Sequence, residues 1–215
     1  MKKLPTIFAL CVLFLATTFA QVSVDSVENL CKQLSESPIS TGSFEQTKTI
    51  SSINRSLKSS GEFTLCTLGL VWKSKKPFTS TLVIGEDFMA QIASDGSESV
   101  ADFSDNETFK SIAASLVGAL NNESALLTDI FDTTFKGGKG TWEATLSAKD
   151  ETIAIAMQTI HLEGVWDDTL CEIRRVSIDE KNGDKILYEL TSQSHPAQIP
   201  SDDATLFKRL SPHKR

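Results

Sequence analysis

Histidine is scarce in this chain. Three occur in 215 residues, His161, His195 and His213, and no two stand at a metal-ligand spacing. His161 falls in an expected strand and the other two in a polar tail, where solvated or hydrogen-bonded rings are the ordinary outcome. No Gly-x-Ser-x-Gly elbow occurs, so a hydrolase would need a Ser-His-Asp site assembled through space, with His161 or His195 as its base. No Cys-x-x-Cys pair occurs, which weakens zinc and thioredoxin-type readings. The run Lys136-Gly137-Gly138-Lys139-Gly140-Thr141 fails as a phosphate loop. Gly140 stands where Ser or Thr should follow the lysine, and the run reads as a helix-to-strand turn. Asp167-Asp168 and Asp202-Asp203 lack the organised oxygens that calcium requires and read as solvated turns. Enzymatic chemistry, a metal and a cofactor have little to attach to, and none is expected.

Basic charge is also short. The chain has 21 Lys and Arg against 28 Asp and Glu, a formal net charge of −7. That balance argues against nucleic acid and against electrostatic docking to anionic lipid. One long apolar run stands out, Leu4 to Phe14, behind Lys2 and Lys3 and ahead of Thr18-Phe19-Ala20. It is broken by Pro5 and is shorter than the roughly 20 residues of a membrane span. Its three parts are those of a secretory signal, with cleavage expected after Ala20. The expected organisation is a signal peptide over 1–20 and one domain over 21–215, about 195 residues sharing one core. No linker, internal repeat or low-complexity tract divides it. Neither Cys11 nor Cys31 is placed as a lipid-acceptor cysteine. An exported compartment permits a disulfide, but Cys31, Cys66 and Cys171 are an odd number, so at least one is unpaired.

What the chain does have is strand character. Residues 24–35 read as a first helix, with Val27, Leu30, Cys31 and Leu34 on one face and Pro38 beyond it. Strands are expected over 42–53, 57–68, 69–75, 78–85 and 88–94, followed by the Asp95-Gly96 turn. The period then changes. Phe109, Ile112, Ala113, Leu116, Val117 and Leu120 share a helical face, and Leu126, Leu127, Ile130 and Phe131 form a second short amphipathic helix. Strands return over 141–148, 152–158, 159–165, 170–178 and 185–192, with Asn182-Gly183 as a tight hairpin signal. Arg174-Arg175 lies in a strand, so alternation sends the two side chains to opposite faces; surface ion pairs are the expected role, with a latch on a covering helix or a contact to a lipid headgroup as the alternative. The residues from Ser194 on read as a polar arm anchored by Leu206-Phe207. A sheet of nine to eleven strands must curl or close, and the two middle helices are placed to cover its concave face.

Gly42-Ser43-Phe44-Glu45-Gln46, Gly61-Glu62-Phe63, Leu70-Val71-Trp72, Pro77-Phe78 and the strand from Leu82 to Ile84 follow one another in an order that resembles the LolA-type outer-membrane lipoprotein carriers. The resemblance implies an α+β fold in which a strongly curved antiparallel sheet, an unclosed half-barrel, has a helical lid. Between sheet and lid it implies an apolar cavity for acyl chains of lipoproteins or other lipids. It further implies a monomeric periplasmic carrier that shuttles cargo from an inner-membrane exporter to an outer-membrane acceptor, without catalysis. A non-transporting lipid-sensing or envelope scaffold module on the same fold is the alternative. The cavity would be lined by some of Phe44, Phe63, Leu70, Trp72, Phe78, Leu82 and Ile84, of which strand alternation sends about half inward. The lid would come from Phe109, Ile112, Leu116, Leu120, Leu127, Ile130 and Phe131. One departure is clear. The family's lid-bonding arginine falls near Cys66, and Thr64-Leu65-Cys66-Thr67-Leu68 contains none.

Overall fold

A computed structural model of the protein describes residues 26–103, 107–137, 140–167 and 169–212. The expected signal peptide lies outside the described residues, as do Asp168 and His213. No helix among the described residues is long and apolar enough to cross a membrane.

Helix α1 (Val27–Ser35) opens the domain, and the Ser26 side chain caps it by accepting from the Asn29 N–H. Six strands follow: β1 (Ser40–Ile50), β2 (Arg55–Cys66), β3 (Gly69–Lys76), β4 (Ser80–Ile84), β5 (Phe88–Ile92) and β6 (Glu98–Asp102). Helices α2 (Glu107–Leu120) and α3 (Ser124–Ile130) come next, then β7 (Phe131–Gly137) and β8 (Gly140–Ala148). The short α4 (Glu151–Ala156) leads into β9 (Thr159–Trp166), β10 (Cys171–Asp179), β11 (Lys185–Ser194) and α5 (Ser201–Leu210).

The strands form one open antiparallel sheet in the order β6-β5-β4-β3-β2-β1-β11-β10-β9-β8-β7. Two meanders, β1–β6 and β7–β11, join where β1 pairs β11, with Phe44 opposite Leu190. This topology dictates the position of the middle helices. The first meander ends at one edge of the sheet and the second begins at the other, so the chain between them must cross a whole face. Helices α2 and α3 make that crossing and rest on α1. The sheet curls around them. Leu65 of β2 and Phe135 of β7 pack against the same buried cluster of Leu30, Leu34, Leu120, Trp142 and Trp166. In a flat sheet those strands would stand six spacings apart, about 29 Å.

Several sequence expectations need correction. Where a strand is expected over 152–158, residues Glu151–Ala156 form helix α4, because the Asp150 carboxylate caps the Thr152 and Ile153 N–H groups. Phe131 begins β7, where Phe131, Thr133 and Phe135 alternate with exposed partners, so a strand and not a helix comes before β8. Edge strand β6 is exposed along its whole length and carries no burial pattern. The expected polar arm is helix α5, which packs Phe207 and Leu210 against Cys66, Val71, Val83 and Phe88 on the outer face. Asp203, expected in a solvated turn, is buried there and accepts from Thr64 Oγ1 at 2.7 Å while pairing with Lys73. Asp167 does hold its turn, accepting from the Thr169 and Leu170 N–H groups. The Asn182-Gly183 hairpin appears as expected, with Gly183 at φ +87°, a conformation that a side chain would strain.

Candidate functional site: an apolar layer under a helical crossing

The register of the first meander places the expected cavity residues. Phe63 lies opposite Trp72, and Trp72 opposite Leu82. In the next row Leu65, Leu70, Ile84 and Met89 stand opposite one another in turn. Directly opposed residues share a face, and Phe44 shares it by the period of two from Gly42, which opposes Phe63. Phe44, Phe63, Leu70, Trp72, Leu82 and Ile84 therefore all point to the inner face, not half of them. Phe78 alone is left out of this layer: it stands in the β3–β4 turn, 80% exposed.

An aromatic stack organises one end of the layer. Trp72 lies on Phe44 with ring centroids 3.9 Å apart and planes 27° off parallel, Phe63 is 5.9 Å away, and Tyr188 of β11 meets Trp72 edge-on at 5.0 Å. Gly61 makes the Phe44 placement possible. A Cβ there would stand 2.9 Å from the Phe44 ring and 1.9 Å from the Lys73 carbonyl oxygen. Burial, and then the Glu180 charge, push the Tyr188 hydroxyl above its ordinary range. Tyr188, Leu190 and Met89 were not expected at the site, although Ile186, Tyr188 and Leu190 carry a visible alternation.

The expected lid residues separate from the sheet residues. Leu120 joins Leu30, Leu34, Trp142 and Trp166, and Leu127 and Phe131 join Val27, Cys31, Leu146 and Ile160. Ile112 and Ile130 pack against that second cluster. These five fill a closed core between α1, α3 and β7–β10. Phe109 and Leu116 are carried by α2, and their side chains lie outside the described residues. The described side chains that α2 turns toward β3 and β4 are small. Ala113 and Val117, with Leu65, Gly69, Leu70, Ile84 and Gly85, line a cavity of about 10 Å³, at the lower limit of what one water molecule needs. The two halves of the inner face thus differ. The β7–β10 half is packed and closed, whereas along β3–β5 the side chains of Leu70, Trp72, Leu82, Ile84 and Met89 are only half buried.

Polar chemistry lies elsewhere. His161 meets Thr145 Oγ1 at 3.2 Å and the Asp179 carboxylate at 3.5 Å on the outer face. His195 sits between the Ile39 carbonyl at 3.2 Å and Glu172 Oε1 at 2.9 Å. No serine hydroxyl bonds either ring among the described residues. Arg174 and Arg175 both serve outer-face carboxylates, Arg174 pairing with Glu172 and Arg175 with Glu163 and Glu189. The expected opposite orientation is overturned by a β-bulge between Ile173 and Arg175, which shifts the alternation by one residue. Among the described residues neither arginine latches a helix. Helix α1 is instead tied to the sheet by the Trp166 Nε1–H donating to Gln33, and the Lys149 ammonium donates to the Thr128 carbonyl near the end of α3.

Among solved structures, an uncharacterized conserved protein from Thermus thermophilus is similar at a TM-score of 0.48 and 8% identity, covering 83% of this chain and 97% of that one. A LolA superfamily protein from Nitrosomonas europaea is similar at 0.43 and 8%, covering 85% and 97%. A candidate outer membrane lipoprotein-sorting domain from Vibrio parahaemolyticus is similar at 0.43 and 8%, covering 86% and 98%. No protein-family model and no curated protein matches. Likenesses at these scores say nothing of ligand or partner for this chain.

Proposed function

We propose that the chain is a periplasmic carrier that takes up an acyl chain, of a lipoprotein or another lipid, between α2 and the inner face of β3–β5. The observation that carries this reading is the asymmetry of the inner face. An aromatic and aliphatic layer is left half buried where the described side chains of the covering helix, Ala113 and Val117, are small. Ala113 and Val117 contribute roughly 3 kcal/mol of burial on that side. At about 0.8 kcal/mol per methylene, four buried methylenes match it and a longer chain exceeds it. Helix α2 then tilts off β3 while Leu120 keeps it seated on α1. Release needs an acceptor that binds the cargo better than this layer does. The reading includes export directed by residues 1–20, delivery by an inner-membrane exporter and handover to an outer-membrane acceptor.

The test is titration with a fluorescent fatty acid. Ile84→Asp and Leu82→Asp place a charge in the layer and are expected to weaken uptake at least about a hundredfold. Absence of uptake by the unaltered chain would overturn the proposal, as would uptake indifferent to both changes.

A further inference from the structure

The β1–β2 hairpin projects past its neighbour. Strand β3 ends at Lys76, opposite Ser60, while β2 starts at Arg55 and pairs with β1 up to Ile50. Five residues of extended chain carry β2 about 16 Å beyond the end of β3, on the side to which the β3–β4 turn also projects. Large apolar side chains are exposed at this corner: Ile53 at 59%, Leu57 at 56% and Phe78 at 80%. Arg55, Lys58 and Lys76 stand among them, exposed and without an ion pair among the described residues.

Two carboxylates at this end of the sheet are paired with lysines, and two more accept backbone hydrogen bonds while keeping their charge. Glu180 pairs with Lys48 at 2.9 Å, Asp179 pairs with Lys185 at 3.1 Å, and Asp184 accepts from the Ser51 N–H at 2.9 Å. Asp95, at the β5–β6 turn, is occupied with the Ser97 N–H. Three cations without an ion pair among the described residues stand by the bare apolar tips, with Asp184 and Glu45 as the nearby negative charges, on a chain whose net charge is −7. Folding alone gives no reason to hold Phe78 and Ile53 in water. A bilayer interface does, because apolar tips enter the acyl boundary while Lys and Arg stems keep their charges among anionic headgroups.

We propose that this corner is a membrane-docking tip. Ile53, Leu57 and Phe78 insert shallowly into an anionic bilayer, and Arg55, Lys58 and Lys76 hold its headgroups. The whole-chain charge argues the other way, and the local arrangement outweighs it because a Debye length of about 8–10 Å confines each charge to its neighbourhood. The tip lies apart from the α2 layer, so docking and cargo binding separate by mutation.

The experiment is flotation of the full chain with phosphatidylcholine vesicles, with and without phosphatidylglycerol, at about 0.1 M salt. Binding is expected only with the anionic lipid. R55Q/K58Q/K76Q is expected to weaken it at least about tenfold, and I53S/F78S is expected to remove the part that survives high salt. Both variants should keep the original urea midpoint and fatty-acid uptake. No flotation with either vesicle overturns the proposal. So does flotation unaffected by both variants. Self-association that the same changes abolish, without vesicle binding, would assign the corner to a second copy of the chain and overturn it too.

Discussion

Replacing Trp72 by alanine should be among the costliest single changes at the site. Most of the ring is covered, so about 150 Å² leaves a buried environment, roughly 4 kcal/mol at 25 cal/mol/Å². Its stack on Phe44 at 3.9 Å and its edge contact with Tyr188 at 5.0 Å add about 0.5–1.5 kcal/mol each. Partial collapse of Phe63 and Tyr188 into the gap returns some of this, leaving about 4 kcal/mol. Trp72→Phe keeps a ring over Phe44 and should cost about 1 kcal/mol. Equilibrium urea unfolding with an unchanged denaturant slope measures both. A double-mutant cycle with Phe44→Leu should return a coupling of about 1 kcal/mol. A loss under about 1 kcal/mol for Trp72→Ala would refute the reasoning, because Trp72 would then behave as a surface ring and the layer would not be an organised one.

Burial raises all three described thiols: Cys31 to about 11, with Glu28 adding to it, Cys171 to about 12, and Cys66 in the same direction. The folded state therefore keeps protons that the unfolded state gives up near 9.0. Stability should be full below that pH and fall as pH rises toward 12, read as a declining urea midpoint. An aromatic disulfide reagent at about pH 8 should modify these thiols only on unfolding. Rapid labelling of the native chain would contradict their burial. Asp203→Ala removes the acceptor of Thr64 and the partner of Lys73 beneath α5. Because Lys73 is a third exposed, the expected cost is about 2–3 kcal/mol rather than that of a fully buried pair. Asp203→Asn should cost less, since the Thr64 bond survives, and equal losses for the two would contradict this account.

Much of the fold is legible in the residues. The β1 to β5 meander, the crossing helices and the Asn182-Gly183 hairpin follow from periodicity and turn chemistry. The errors have local causes. Thr152-Ile153-Ala154-Ile155 looks like a strand because β-branched residues dominate it, and only the Asp150 cap reveals a helix. Strand β6 buries nothing, so no pattern could mark it. Helix α5 did carry a signal, Asp202 and Asp203 in its first turn and Lys208 and Arg209 in its last, which the prolines nearby obscured. At the site, the shared face of Phe44, Trp72 and Ile84 needed the register, which depends on pairings far apart in sequence. The splitting of the lid residues needed the topology. Leu120 and Phe131 read equally well as cover or as core, and only the position of α1 makes them core.

The central claim, that an acyl ligand enters between α2 and β3–β5, is tested most directly by native mass spectrometry of the protein purified from cells without delipidation, followed by lipid extraction. The account predicts a co-purifying acylated species that is lost in Ile84→Asp and retained in R55Q/K58Q/K76Q. A ligand-free mass for the unaltered chain, with no adduct after incubation with fatty acid, would contradict it.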